Sequence, residues 1–142
     1  MTFQRSGISF RYPEDWGVEQ QDEEAGWTGM FQSPGTSFAL VTFWEGAAVP
    51  GELADSALEA MREEYSGLEE EPVVETLAGQ AAVGYDVDFL ALDLPVTAKL
   101  RAIVGGEGTA LVLCQGPDAE EELAGQAFRD LFASLSVDDG PE

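Results

Sequence analysis

Ile8-Ser9-Phe10-Arg11-Tyr12-Pro13-Glu14-Asp15-Trp16 sets Ile8, Phe10 and Tyr12 in alternation with Ser9 and Arg11. That is the period of a strand that buries one face. Pro13 ends the ladder because it has no N–H to donate. Trp16 then supplies a heavy apolar anchor just beyond the turn. The rest of the chain reads as more strands of this kind, interrupted by two helical stretches.

Going outward, strands are expected over 17–21, 27–32 and 37–44, with turns at Asp22-Glu23-Glu24-Ala25-Gly26 and Ser33-Pro34-Gly35. In the third, Phe38, Leu40 and Trp44 share one face while Ala39, Val41 and Phe43 share the other. Apolar residues on both faces predict a central strand covered from two sides. Leu53, Ala57, Leu58, Met61 and Tyr65 then recur at helical spacing, predicting a helix over 52–65. Glu69-Glu70-Glu71-Pro72 reads as a connector to a short strand over 73–77.

Ala81, Val83, Tyr85, Val87 and Phe89 alternate along a long strand, and Val96, Ala98, Leu100, Ala102 and Val104 along its return. Gly105-Gly106-Glu107-Gly108 reads as a hairpin turn into a strand over 109–114. Asp118 with Glu121 three residues on predicts a capping box. A last helix follows, with Leu123, Ala127, Phe128, Leu131, Phe132 and Leu135 as its apolar stripe. Residues 138–142 read as an acidic tail, so the chain is expected to be one domain over 1–137.

Strands in hairpins with two inserted helices predict an α+β fold: an antiparallel sheet covered by helices, an α/β/α-like sandwich. The chain has 142 residues, 44% hydrophobic and 10% aromatic. A domain of that size buries roughly 68–70% of its unfolded surface without help from disulfide or metal.

Charge narrows the function. The chain has 28 Asp and Glu against 6 Lys and Arg, a formal net charge of -22. Nucleic-acid binding through phosphates needs the opposite sign, and so does adsorption to anionic membranes. A protein or peptide partner is expected, and the field favours a basic one. Histidine is absent and Cys114 is the single cysteine. Ser-His-Asp and Cys-His chemistry cannot be built from those residues, nor can zinc sites of His and Cys. No cofactor is expected. Residues 1–7 hold no apolar run after a basic segment, and no window is apolar enough to span a bilayer, so the expected location is cytoplasmic.

Asp86 and Asp88 on one long strand face Lys99 and Arg101 on its return. If Asp88 pairs with Lys99, then Asp86 meets Arg101. This is either a cross-strand salt-bridge ladder or a polar binding patch. Trp27, between Gly26 and Gly29, is the tryptophan with the least local cover. It is a candidate interface residue against the alternative of a core position. The triplets Asp22-Glu23-Glu24, Glu69-Glu70-Glu71 and Glu120-Glu121-Glu122 lack EF-hand spacing. Cys114 reads as an inert core thiol.

Four blocks in order resemble PsbP-like domains. They are Phe10-Arg11-Tyr12-Pro13-Glu14-Asp15-Trp16, the helix near residue 58, Leu77-Ala78-Gly79-Gln80-Ala81, and Phe128-Arg129-Asp130-Leu131-Phe132-Ala133-Ser134-Leu135. That family and its structural relatives include photosystem accessory proteins, a Ran-binding import factor and bacterial effector chaperones. The resemblance implies the sandwich fold and a binding role without a shared catalytic constellation. It does not carry over a place at the oxygen-evolving centre, since this chain lacks histidine and a targeting segment. The leading expectation is a non-catalytic binding or assembly module, monomer or homodimer. Its alternatives are a chaperone-like dimer cradling apolar segments and a hydrolase using paired Asp or Glu.

Overall fold

The structure is a computed structural model that describes residues 1–46, 48–105 and 108–137. The sequence's Gly106-Glu107 turn tip and its acidic tail lie outside the described residues. Ten strands and two α-helices follow in the order β1 (Thr2–Arg5), β2 (Ile8–Arg11), β3 (Gly17–Glu23), β4 (Gly26–Gln32), β5 (Phe38–Glu45), α1 (Pro50–Glu64), β6 (Glu69–Leu77), β7 (Gln80–Ala91), β8 (Leu94–Gly105), β9 (Gly108–Pro117), α2 (Glu121–Ser134) and β10 (Ser136–Val137). A seven-stranded sheet runs β3-β4-β5-β9-β8-β7-β6, and β1, β2 and β10 form a separate sheet of three. Every pairing is antiparallel. The α+β class and the helix-covered antiparallel sheet expected from the sequence are what the chain adopts.

Ile8 and Phe10 are buried as expected, but they sit in the small sheet rather than the large one. That sheet and α2 together cover one face of the large sheet. Phe3 and Phe10 there meet Trp27, Phe31, Ala39, Val41 and Phe43, with Leu131 of α2 and Leu135 just after it closing the layer. Trp16 stands edge-on to Phe128, ring centres 5.9 Å apart, and so fastens the turn after β2 to α2. On the opposite face Leu58 and Met61 of α1 pack over Val87, Phe89, Val96, Ala98 and Leu100.

α1 begins at Pro50, two residues before the expected start, because proline's fixed φ and missing N–H suit a first helical turn. Pro72 lies inside β6, where the sequence suggested a connector. β6 is the sheet's edge, and an edge position tolerates a residue that cannot donate.

The expected cap of the last helix is corrected. Asp118 opens a 3-10 turn (Asp118–Glu120) ahead of α2 and makes no capping bond. The Thr97 hydroxyl instead lies between the Asp118 and Asp88 carboxylates, at 2.9 and 3.0 Å. Leu123, expected in the apolar stripe, is 85% exposed.

The β7–β8 connection is tight. Ala91 pairs with Leu94, leaving a two-residue turn of Leu92 and Asp93 with φ of 51° and 64°. This is the left-handed geometry of primed hairpin turns, which Asn and Gly adopt far more easily than leucine. Leu92 is 96% exposed, so packing returns nothing for its strain. Leu92→Asn is expected to stabilise the fold by about 0.5–1 kcal/mol. Urea unfolding checks this, and an unchanged or lower midpoint would contradict it.

Candidate functional site

Each covering layer protects about half of its face of the large sheet, leaving two open regions of opposite character. The first lies beyond α2 on β6, β7 and β8 and is charged. Here the turn at Leu92-Asp93 moves the expected register by two residues: Asp86 is opposite Lys99, Asp88 opposite Thr97, and Arg101 opposite Gly84. A Cβ at Gly84 would fall 1.7 Å from the Leu100 carbonyl oxygen, so only glycine fits there.

Arg101 is 5% exposed and fully occupied. Its Nε donates to Glu75, its Nη2 to Asp86 at 2.8 Å, and its Nη1 to the Leu100 and Tyr85 carbonyls at 2.9 and 3.2 Å. Burial acts against its charge, but the bonds to Glu75 and Asp86 outweigh that and raise its pKa. Asp86 and Arg101 thus meet as the sequence suggested, along a diagonal rather than directly opposite. Asp88 and Lys99 do not meet. Lys99 makes no hydrogen bond or ion pair among the described residues.

Trp27 belongs to the core, which corrects its reading as an interface candidate. It is 2% exposed, its ring stacks on Phe43 at 5.7 Å, and its Nε1 donates to the Ser6 hydroxyl at 3.0 Å. The Arg5 guanidinium covers the ring from 5.1 Å. Gly26 and Gly29 bare the residue only along the sequence; β1 and β5 cover it in space. Cys114 is 1% exposed, and burial pushes its thiol far up, so it stays protonated.

The second open region is apolar. α1 crosses β7, β8 and β9 but stops short of β4 and β5. Phe38, Leu40 and Trp44 of β5 share this face, with Met30 opposite Leu40 on β4 and Leu113 opposite it on β9. All five are only partly buried. Between them and α1 runs a groove of about 310 Å³, walled by Phe38, Leu40, Leu111, Leu113, Ala57 and Met61, with Glu64 on its rim. The two-faced apolarity of β5 was its sequence signal. The expectation of full cover on both sides is what failed, since a 15-residue α1 spans only half of a seven-stranded sheet.

Acidic triplets spend carboxylates on the fold. Asp22 holds Arg5 at 2.6 Å, and Glu70 holds Arg62. Glu120 accepts from the Ser37 hydroxyl (2.6 Å) and N–H (3.0 Å) and from the Thr36 hydroxyl (2.7 Å) and N–H (3.1 Å). Those Ser37 and Thr36 bonds hold its carboxyl at about 2, against an ordinary 4.5. A carboxylate lowered on folding stabilises fully above the higher value and loses that contribution as pH falls through the lower one. Glu120→Gln is therefore expected to cost about 1–2 kcal/mol at neutral pH. Its deficit against the parent protein should shrink between pH 4.5 and about 2. Urea midpoints across that range test it, and a pH-independent deficit would contradict it.

No family model matches the chain, and no curated relative matches it. Solved structures do. LpqN of Mycobacterium tuberculosis, involved in cell envelope biogenesis, superposes with a TM-score of 0.62 at 14% identity, covering 92% of this chain and 83% of that one. A Bacteroides thetaiotaomicron protein gives 0.61 at 15% identity over 92% of this chain and 45% of its own. A Pseudomonas aeruginosa protein of unknown function gives 0.54 at 12% identity, covering 94% and 93%. What these three share with this chain is the fold.

Proposed function

We propose that this chain is a non-catalytic protein- or peptide-binding module of PsbP-like type, whose working surface is the apolar groove between α1 and the open half of the sheet. The groove carries the reading: Phe38, Leu40, Leu111 and Leu113 present apolar surface on a molecule whose charge is -22. Apolar anchors inside and negative potential around them suit a segment with alternating apolar and basic residues. An extended strand offers that alternation with its apolar side chains on one face. The same charge opposes a second copy of the chain, so the proposed working unit is a monomer.

A synthetic peptide of alternating Leu and Lys tests the proposal, with a Leu-Glu peptide of equal length as control. The Leu-Lys peptide is expected to bind, to associate more slowly as salt rises, and to lose affinity on Leu40→Gln. Equal binding of both peptides, or affinity unmoved by Leu40→Gln, would overturn it.

The chaperone-like reading shares this groove but needs a dimer to build a cradle. Sedimentation with and without the peptide separates the two. Among the described residues no helix is long and apolar enough to cross a membrane. The cytoplasm is part of the proposal, and the single buried thiol of Cys114 is compatible with it. Fractionation that places the native protein in the envelope would contradict it.

A further inference from the structure

A second cavity, of about 110 Å³, lies on the other face of the sheet between α2 and β8–β9. Its walls are Cys114, Gly116, Ala124, Gly125, Phe128 and Phe132, and Lys99 and Arg129 reach it from the sheet and the helix. The telling observation is that Lys99 has no ion pair among the described residues, although Asp86 stands directly opposite it. Asp86, its partner across the strands, holds Arg101 at 2.8 Å. Asp88 and Asp118 flank the Thr97 hydroxyl, which can donate to one of them at a time. Glu120 is bound to Thr36 and Ser37, which also occupies the Ser37 hydroxyl at the cavity wall.

Glu121 lines the cavity but turns to Arg129 at 3.4 Å. Gly125 leaves room for it where its carboxylate now sits: a Cβ there would fall 2.3 Å from the Glu121 Oε1. A glycine inside a helix weakens it, so this position gives up stability while Glu121 stays with Arg129. Of the two cations at the cavity, Lys99 is therefore the one without an ion pair among the described residues, in a chain with 28 acids.

We propose that this cavity is a binding site for a small carboxylate with a short apolar body, its carboxylate on Lys99 and its body against Phe128 and Phe132. A dry cavity of about 150 Å³ takes benzene, so the space here suits a branched group of three or four carbons. The site is separate from the groove under α1, and either can fail without the other.

Calorimetry and NMR with isobutyrate, against the neutral and nearly isosteric isobutyramide, test the assignment. Isobutyrate is expected to shift the Phe128 and Phe132 resonances and to bind at least about tenfold more tightly than the amide, as a charge-assisted hydrogen bond requires. Lys99→Met should abolish that preference and Lys99→Arg should retain it. Arg11→Met, which removes another cation without an ion pair among the described residues, should leave it intact. Equal affinity for acid and amide, a preference that survives Lys99→Met, or no binding of isobutyrate at millimolar concentration would each overturn it.

Discussion

Arg101→Met is expected to lower the unfolding free energy by about 2–3 kcal/mol. The substitution keeps an unbranched apolar stem and removes the donors that hold Glu75, Asp86 and the carbonyls of Tyr85 and Leu100. Breaking a fully buried ion pair costs about 3–5 kcal/mol. The cost here is smaller because Glu75 and Asp86 are 40% and 39% exposed, and water can reach them once the guanidinium is gone. Urea unfolding with an unchanged slope is the measurement. A loss below about 0.5 kcal/mol, the scale of surface pairs, would show that Arg101 is no more than a rim charge.

A larger loss is expected at Phe31. It is fully buried on β4, and its ring lies 5.1 Å from those of Phe3, Phe10 and Tyr12. It is therefore the side chain on which the small sheet rests against the large one. Phe31→Ala should cost about 3–5 kcal/mol and flatten the near-ultraviolet circular dichroism of the aromatic cluster. Leu123→Ala, at an exposed position of α2, should cost less than about 0.5 kcal/mol. If the two substitutions cost the same, the joint between the sheets is not where the stability resides.

The sequence announced its elements through periodicity, and for that reason the long strands and both helices were legible. Tyr85, Val87 and Phe89, or Leu58 and Met61, repeat at spacings that only one kind of element satisfies. The placement of the first strand was not legible. Ile8 and Phe10 show the same alternation whether their strand joins the large sheet or the small one, and β1 and β10 are too short to display a period. Register failed for a local reason: Leu92-Asp93 lacks the Asn-Gly chemistry that marks a two-residue hairpin. That slip alone separated Asp88 from Lys99.

The candidate surfaces were legible to a smaller degree. Both faces of β5 read as apolar, but the reach of α1 across the sheet is a tertiary quantity, so the groove stayed hidden. Trp27 misled because flanking glycines report local cover, whereas β1 and β5 bury it from a distance in sequence. Glu120 read only as one of an acidic triplet, and only the fold brings Thr36 and Ser37 to it. That Lys99 is left without an ion pair likewise depends on where its neighbouring carboxylates turn.

Mapping the methyl resonances of the protein during titration with the Leu-Lys peptide tests the central claim most directly. The account predicts shifts concentrated at Leu40, Met61, Leu111 and Leu113, with Leu131 and Leu135 in the opposite layer unmoved. Shifts centred on α2, or spread evenly over the acidic surface, would contradict a binding function seated in the groove.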